Sequence, residues 1–161
     1  MGEVTIQSEL RTRSYTDEAI GEALQKQILI MPPLSTTEDG KGAKYQLMSD
    51  EASEMRKVLS EAGYATDVIL DRNLKRRTLV RKQADIVFTL ILFAASLPLN
   101  VVTGYIANWL YARFNANQKL NVTYEHARFG CDGKIVDYVK LEGDPKEVAA
   151  ILKSGKFSSK R

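Results

Sequence analysis

Apolar and polar positions are distributed unevenly along the chain, and one long apolar run separates the amphipathic segments on either side of it. Residues 86–112 contain no charged side chain, with Asp85 immediately before them and Arg113 immediately after. A helix of about 20 apolar residues crosses a bilayer core of about 30 Å, so this run is long enough to span a membrane. The alternative is that the run is buried in a protein core or between the subunits of an oligomer.

The apolar run is interrupted near its middle by Pro98. Proline lacks a backbone N–H and therefore kinks or ends a helix. Each half of the run is too short to span a bilayer alone, which leaves a single kinked span or a hairpin that returns to the same side. We therefore expect a central hydrophobic helix or helical hairpin.

Small and polar side chains in the second half of the run predict a contact between helices. Gly104, Ala107 and Asn108 lie within about one helical turn of each other and can share a face. In a membrane, small residues allow two helices to approach closely, and an amide can donate a hydrogen bond across the contact. The pattern predicts a homo-oligomer built on this face.

The chain before the run begins with alternation and continues with a helical pattern. Val4 and Ile6 alternate with polar residues and predict a strand over residues 3–10. Thr16 is expected to cap the helix that follows, because its hydroxyl can accept a backbone N–H at the helix start. Residues 28–31 fit either the last turn of that helix or a short buried strand.

A second helix is predicted after a cap at residues 49–50, and Gly63 is expected to end it in the left-handed conformation. Short apolar stretches on both sides of this helix, at residues 45–48 and 64–70, predict strands. Together these elements form a small soluble α/β region over residues 1–71.

The chain after the run predicts a ββα module over residues 115–161, ending in a basic tail. Asp132-Gly133 is a strong signal for a hairpin turn, because glycine tolerates a positive φ. Asp144 and Pro145 are suited to the cap and the first position of a helix. The hairpin strands are predicted at residues 122–129 and 135–141. A module of this size buries little surface alone, so we expect it to pack on the N-terminal region or on a second copy.

Charge is concentrated between the N-terminal region and the apolar run. The net charge of +3 combines an acidic region at residues 1–71 with a basic collar at residues 72–82, which has no acidic residue. We define the collar by its six cations: Arg72, Lys75, Arg76, Arg77, Arg81 and Lys82. Its position before the run favours a juxtamembrane lipid anchor over a solvated helix face, and places the N-terminal side in the cytoplasm. Nucleic acid is not expected as a partner, since the collar contains no aromatic residue that could stack on bases.

Candidate catalytic chemistry is sparse. His126 is the only histidine and Cys131 the only cysteine, so the sequence offers no set of metal ligands and no paired nucleophile and base. We expect His126 to be a strand residue with ordinary solvation. The carboxylates at Asp17, Asp50 and Asp144 are explained by helix starts. No cofactor and no catalytic residue are predicted, and we expect a protein without enzymatic activity.

The chain from residue 45 onwards resembles the small effector-associated constant components of bacterial conflict systems. The resemblance covers residues 45–154 and rests on the order of elements, on the motif IANWLYARF at the end of the apolar run, and on LEGDPKEVAAILKS after the two strands. It implies a non-catalytic adaptor or membrane partner of an effector in antiviral defence, with a protein effector as partner.

The sequence therefore predicts an α+β protein in three parts: the α/β region at residues 1–71, the collar with the hydrophobic segment at residues 72–114, and the ββα module at residues 115–161. The expected function is a non-enzymatic, membrane-associated component, either an adaptor or a membrane-perturbing effector in bacterial antiviral defence. The alternative is a soluble oligomeric binding module that buries the hydrophobic segment between its subunits.

Overall fold

The computed structural model describes residues 5–32, 36–38, 40–48, 50–78, 85–113, 121–130 and 132–154. The helices in these ranges are α1 (Ile6–Thr12), α2 (Asp17–Leu24), α3 (Asp50–Glu61), α4 (Leu99–Arg113) and α5 (Pro145–Ser154). The strands are β1 (Ile28–Met31), β2 (Thr36–Glu38), β3 (Lys44–Met48), β4 (Thr66–Val68), β5 (Lys75–Thr78), β6 (Asp85–Ala94), β7 (Asn121–Phe129) and β8 (Ile135–Gly143).

A mixed five-stranded sheet forms the centre of the molecule, in the order β4-β1-β6-β7-β8. Strand β6 occupies the middle position, antiparallel to β1 and parallel to β7. The outer pairs are β1 with β4, which are parallel, and β7 with β8, which are antiparallel. The mixed sheet and its five helices confirm the predicted α+β class.

Helices cover both faces of this sheet, because successive strand side chains point to opposite sides. On one face, Ile28 and Ile30 of β1 and Phe93 of β6 join buried residues of α3, α4 and α5 in one apolar cluster. On the other face, Leu29 of β1 and Leu92 of β6 join buried residues of α1 and α2. The architecture is thus three layers, with two helices on one side of the sheet and three on the other.

A second sheet has three strands in the order β2-β3-β5, with β5 parallel to β3. Gln46 of β3 is fully buried, and its side-chain oxygen accepts a hydrogen bond from the backbone N–H of Asp71 at 2.5 Å. This bond fixes the chain just before β5, so the first half of the basic collar is held at the edge of a sheet.

The apolar run does not form the expected helix or helical hairpin. Its first part is β6, the central strand, and only its second part is helical, as α4. Pro98 stands directly before α4 and separates the two elements. The first part is rich in β-branched and aromatic residues, which favour a strand once neighbours pair with it on both sides. The helix was predicted from the length of the whole uncharged run, and that length outweighed the strand preference of its first part.

Among the residues that the structure describes, no helix is both long enough and apolar enough to cross a bilayer. The prediction of a membrane-embedded segment is therefore wrong. The membrane localisation and the function as a membrane-associated component are wrong for the same reason. The lipid-anchoring role of the basic collar stays a prediction.

The expected strand at residues 3–10 is also wrong over its described part, because α1 begins at Ile6. Thr5 caps this helix, and its side-chain oxygen accepts a hydrogen bond from the backbone N–H of Ser8. Ile6 and Leu10 are four residues apart, and both are buried in the cluster below α1 and α2. An apolar pattern over so few residues fits both the two-residue period of a strand and the 3.6-residue period of a helix. Packing of Ile6 and Leu10 against the sheet selects the helix.

Several predicted elements are confirmed. Thr16 caps α2, and Gly63 has a φ of 98° just after α3. Of the two structures that residues 28–31 fitted, a helical turn or a short buried strand, they form the strand. Gly133 has a φ of 79° in the turn between β7 and β8, as its place in Asp132-Gly133 predicted. In α5, the Asp144 carboxylate accepts the backbone N–H of Glu147 at 2.8 Å.

The three predicted segments contribute to one sheet. Strands β1 and β4 come from residues 1–71, β6 from residues 72–114, and β7 and β8 from residues 115–161. The ββα module packs on the rest of the chain through β7 against β6 and through α5 beside α4.

Candidate functional site

The outward face of α4 carries uncharged side chains that the fold leaves accessible. Val101 is 50% exposed, Tyr105 40% and Tyr111 62%, so three large side chains with apolar surface are exposed on the same helix. The opposite face of the same helix, with Val102, Ile106 and Leu110, is buried against the sheet. We call the outward residues the α4 strip: Val101, Gly104, Tyr105, Asn108, Tyr111 and Ala112.

The three residues of the predicted helix–helix contact are divided between the two faces of α4. Asn108 is exposed and Gly104 is half-buried, so both lie on the strip. A Cβ added at Gly104 would have no heavy atom within 4 Å, which leaves space above the backbone at this point. Ala107 is 2% exposed and packs in the core of its own chain, so it does not reach the strip.

Helix α3 forms one border of the strip. Tyr64, which follows the end of α3, meets the Tyr105 ring edge to face, with the ring centroids 6.3 Å apart. Arg113 donates a hydrogen bond to the Glu54 carboxylate at 2.9 Å and ties the end of α4 to α3. Helix α5 forms the other border. The exposed residues of α3 and α5 are mostly charged or polar, which gives the uncharged strip a polar rim.

A spacing rule could have identified the strip from the sequence. Val101, Tyr105, Asn108 and Ala112 recur at intervals of four, three and four, and the buried residues of α4 follow a parallel series on the other side. Both series are uncharged, so the helix looked apolar all round, which is typical of a membrane span. Only the packing of one series on the sheet distinguishes a surface helix from a span.

The basic collar lies at the second sheet. Arg72 stands before β5, and Lys75 and Arg76 lie on β5 with exposed side chains. The backbone of Arg77 belongs to the same strand, whereas Arg81 and Lys82 lie outside the described residues. The Arg72 guanidinium lies over the ring of Tyr15, 5.2 Å from its centroid.

His126 is almost completely buried on β7, with 1% of its surface exposed, so the expectation of ordinary solvation is wrong. Its Nδ1 lies 3.0 Å from the hydroxyl of Tyr124, which is also buried and lies on the same face of the strand. The ring of Phe93 on β6 meets the imidazole edge to face at 5.3 Å. The pair is enclosed by the sheet and the helices packed on it.

Burial keeps both partners of this pair neutral at physiological pH. It lowers the pKa of His126 to about 4, and the charge of Arg128 acts in the same direction while Asp137 opposes it. Burial also raises the pKa of Tyr124. Because both side chains are buried, a substrate would have to enter the core to exchange a proton with the neutral imidazole or the neutral phenol. The arrangement therefore fits a core hydrogen bond better than a catalytic pair.

Two further polar pairs connect β7 and β8 near the surface. Arg128 forms a charge-assisted hydrogen bond to Asp137 on the neighbouring strand. The Tyr138 hydroxyl donates a hydrogen bond to the Glu125 carboxylate at 2.5 Å, and burial together with this contact raises the pKa of Tyr138 to about 12. Both pairs join adjacent strands, so they stabilise the register of the hairpin.

Arg13 is a buried cation that the sequence analysis did not identify. Its Nη1 donates hydrogen bonds to the carbonyl oxygens of Pro32 at 2.6 Å and Ile69 at 2.9 Å, just beyond the ends of β1 and β4. Its Nε has no hydrogen-bond partner among the described residues, and burial lowers the pKa of the guanidinium. Arg13 therefore connects the loop between α1 and α2 to two parallel strands, a role that its position in the sequence does not indicate.

Metal ligands do not come together in the described part of the chain, where no group of three or more His, Cys, Asp or Glu side chains is placed to hold an ion. Cys131 lies outside the described residues. No protein-family model matches the chain, and neither a curated protein nor a solved structure matches it.

Proposed function

We propose that this protein is a non-catalytic binding module that pairs with a second copy of itself through the α4 strip. The observation that carries the proposal is the exposure of Val101, Tyr105 and Tyr111 on a helix whose other face is fully packed. Exposed apolar patches with a polar border are a common feature of protein association sites. Tyrosine is enriched at such sites, because it has a large apolar body and a polar end.

The pattern of the strip favours a second copy as the partner. Its four central residues are spaced symmetrically about a point between Ile106 and Ala107. Two antiparallel α4 helices related by a twofold axis at this point would place Val101 opposite the Ala112 of the partner copy. They would also place Tyr105 opposite Asn108 of the partner copy. A twofold contact of this kind needs a surface that complements itself, and an uncharged strip pairs with itself without repulsion.

Space at Gly104 supports the same arrangement. Glycine lets a helix surface be approached closely, and here no atom of the chain itself occupies the position of a Cβ. The gap lies between Val101 and Asn108 on the strip. In the antiparallel arrangement this gap would lie beside Asn108 of the partner copy.

The size of the strip limits the expected affinity. A 15-residue helix is about 22 Å long and about 10 Å wide, so the strip offers much less than the roughly 800 Å² per partner of a stable interface. Residues of α3 and α5 beside the strip must add to the contact. We therefore expect a dimer with a dissociation constant in about the micromolar range, visible only when concentration is varied.

The experiment is sedimentation equilibrium over a wide range of protein concentration, with wild type and charged variants of the strip. Val101→Lys and Ala112→Glu should each weaken the dimer about tenfold or more, because each places a charge in an apolar contact. The double variant Val101→Lys/Ala112→Glu should recover the dimer, since the twofold arrangement brings each lysine opposite a glutamate of the other copy.

Gln25→Lys provides a matched control, because Gln25 is exposed at the end of α2, on the opposite side of the central sheet from α4. It should leave the dimer unchanged. Wild type that sediments as a monomer at every concentration would refute self-association. A double variant that is no better than either single variant would refute the antiparallel arrangement. Gly104→Leu tests the gap, and should weaken the dimer while the thermal unfolding of the monomer is kept.

A further inference from the structure

The edge of β5 combines positive charge with aromatic side chains from other parts of the fold. Arg72, Lys75 and Arg76 are exposed there, and in the described part of the chain none of them forms an ion pair. The collar itself has no aromatic residue, which had argued against nucleic acid as a partner. The fold changes that premise, because it places Tyr15 beside Arg72 and Tyr45 across from Lys75.

We propose that this edge binds single-stranded nucleic acid. Arg72, Lys75 and Arg76 would contact phosphates. Tyr45 would supply a stacking surface for a base, and Tyr15 would hold the Arg72 guanidinium, on whose free face a base can stack. Binding of this kind combines a cationic path with aromatic platforms and needs no base-specific contact. The surface is separate from the α4 strip, and the proposal does not depend on the dimer.

Arg72 is held in position before any ligand arrives. Its backbone N–H donates to the carbonyl of Arg13 at 3.0 Å, and its guanidinium lies over the Tyr15 ring. An arginine stacked on an aromatic ring keeps its planar guanidinium ordered, so less freedom is lost when that group contacts a phosphate or stacks on a base. Burial raises the pKa of Tyr15, and the positive charges of Arg72 and Arg76 oppose this rise.

The acidic residues nearby are engaged with the backbone. The Asp67 carboxylate accepts the N–H of Val68 at 2.9 Å, and the Asp71 carboxylate accepts the N–H of Asn73 at 2.9 Å. They reduce the local potential, but they do not pair with Arg72 or Arg76. The cations of the edge are therefore available to an external anion.

The geometry of β5 suits an extended ligand. It is an outer strand of the three-stranded sheet, and no described strand pairs with its second edge. Successive side chains point to opposite faces, so Lys75 lies with Tyr45 on one face and Arg76 lies on the other. A nucleic-acid strand that follows this edge would be contacted from both sides.

An acidic protein segment would satisfy the charge but would not use the aromatic residues. The pairing of Tyr15 with Arg72, and of Tyr45 with Lys75, therefore favours nucleic acid. The collar also contains more arginine than lysine, and the planar guanidinium can both bind phosphate and stack on a base.

The test measures the fluorescence anisotropy of a labelled oligo-dT of about 20 nucleotides, titrated with the full chain at salt concentrations from about 50 to about 200 mM. Three phosphate contacts should give a salt dependence with a slope near −2, at about 0.7 per phosphate. The triple variant Arg72→Gln/Lys75→Gln/Arg76→Gln should weaken binding about tenfold or more at the lowest salt and should remove most of this slope.

A charge-matched control removes three exposed cations elsewhere. Lys57→Gln/Lys146→Gln/Lys153→Gln changes the net charge by the same amount on α3 and α5, and should bind as wild type does. Tyr15→Phe keeps the ring and should leave binding within about twofold of wild type, whereas Tyr15→Leu should weaken it about tenfold.

Absence of binding to oligo-dT at the lowest salt would overturn the proposal. Equal losses in the triple variant and its control would also overturn it, since the effect would then come from net charge alone. Equal binding of Tyr15→Phe and Tyr15→Leu would exclude the aromatic contribution and with it the choice of nucleic acid. Binding to poly-glutamate without binding to oligo-dT would assign the surface to an acidic protein and refute our choice.

Discussion

At the scale of single residues, burial determines the chemistry of His126 more than its sequence neighbours do. A lone histidine on a predicted strand gave no reason to expect an unusual environment. The fold buries the imidazole on β7, the strand between β6 and β8, and places its Nδ1 within hydrogen-bond distance of the buried Tyr124 hydroxyl. A buried imidazole is kept neutral because charging it would require desolvation of the cation.

The first prediction from this burial concerns stability against pH. The pKa of His126 is lowered to about 4 in the folded protein and is about 6.5 in the unfolded chain. Between these values the unfolded chain binds the proton and the folded protein does not. The free energy of unfolding should therefore decrease as the pH falls from about 6.5 towards about 4, at up to about 1.4 kcal/mol per pH unit.

Urea denaturation at a series of pH values measures this slope, and His126→Phe provides the comparison. His126 is the only histidine, so the slope between about pH 6.5 and pH 5 should disappear in the variant. The variant leaves the Tyr124 hydroxyl without its partner, which lowers stability at every pH but does not create a slope. Identical slopes in the two proteins would show that His126 is not held neutral.

The position of Arg13 shows what local sequence cannot reveal about a residue. Nothing near it indicates that its guanidinium will donate to the carbonyls of Pro32 and Ile69, which are distant in sequence. The same holds for Tyr15, which reaches the collar only because the loop after α1 lies beside the end of β4. Contacts of this kind depend on tertiary structure, and no periodicity predicts them.

At the scale of elements, prediction succeeded where a local signal fixed the structure. The turn at Asp132-Gly133 and the start of α5 at Asp144 are encoded in two or three adjacent residues. The apolar run contains no such signal before Pro98, and an apolar segment that is buried on both faces has the same composition in a strand and in a helix. Only pairing with β1 and β7 identifies β6 as a strand.

A prediction for α5 follows from its cap. Asp144→Ala should lower the free energy of unfolding by about 0.5–2 kcal/mol, because the backbone N–H of Glu147 loses its acceptor. Asp144→Ser should keep most of the stability, since serine is also a good cap. Lys146→Ala, on the exposed side of the same turn, should change stability by less than about 0.5 kcal/mol. Chemical denaturation of the four proteins measures these differences, and equal stability of wild type and Asp144→Ala would refute the role of the cap.

At the scale of the whole molecule, the sheet joins three segments that the sequence suggested as separate regions. The ββα module was expected to need a packing partner, and it finds one in β6 and α4. The α/β region supplies only β1 and β4 to the same sheet. The order of the strands was not predictable from the sequence. Strand β6 joins the β4-β1 pair to the β7-β8 pair, and the sequence analysis had predicted a helix at β6.

A truncation tests this dependence. A chain of residues 1–114 keeps β1, β4, β6 and α4 but loses β7, β8 and α5. We expect it not to unfold cooperatively, because the long apolar edge of β6 would lose its partner and α4 would lose the helix beside it. Thermal unfolding followed by circular dichroism, with the full chain as control, measures the cooperativity. A sharp transition in the fragment would show that the first two segments fold without the third.

The central place of β6 also has a consequence for synthesis on the ribosome. Strand β6 is made after β1 but before β7, and residues 95–120 separate its end from the start of β7. At about 5–20 residues per second, a nascent chain presents this apolar strand with one side unpaired for about one to five seconds. During that interval β6 is a strand edge open to other nascent chains and to chaperones. Slower translation after Ala94 should therefore increase aggregation of the newly made protein.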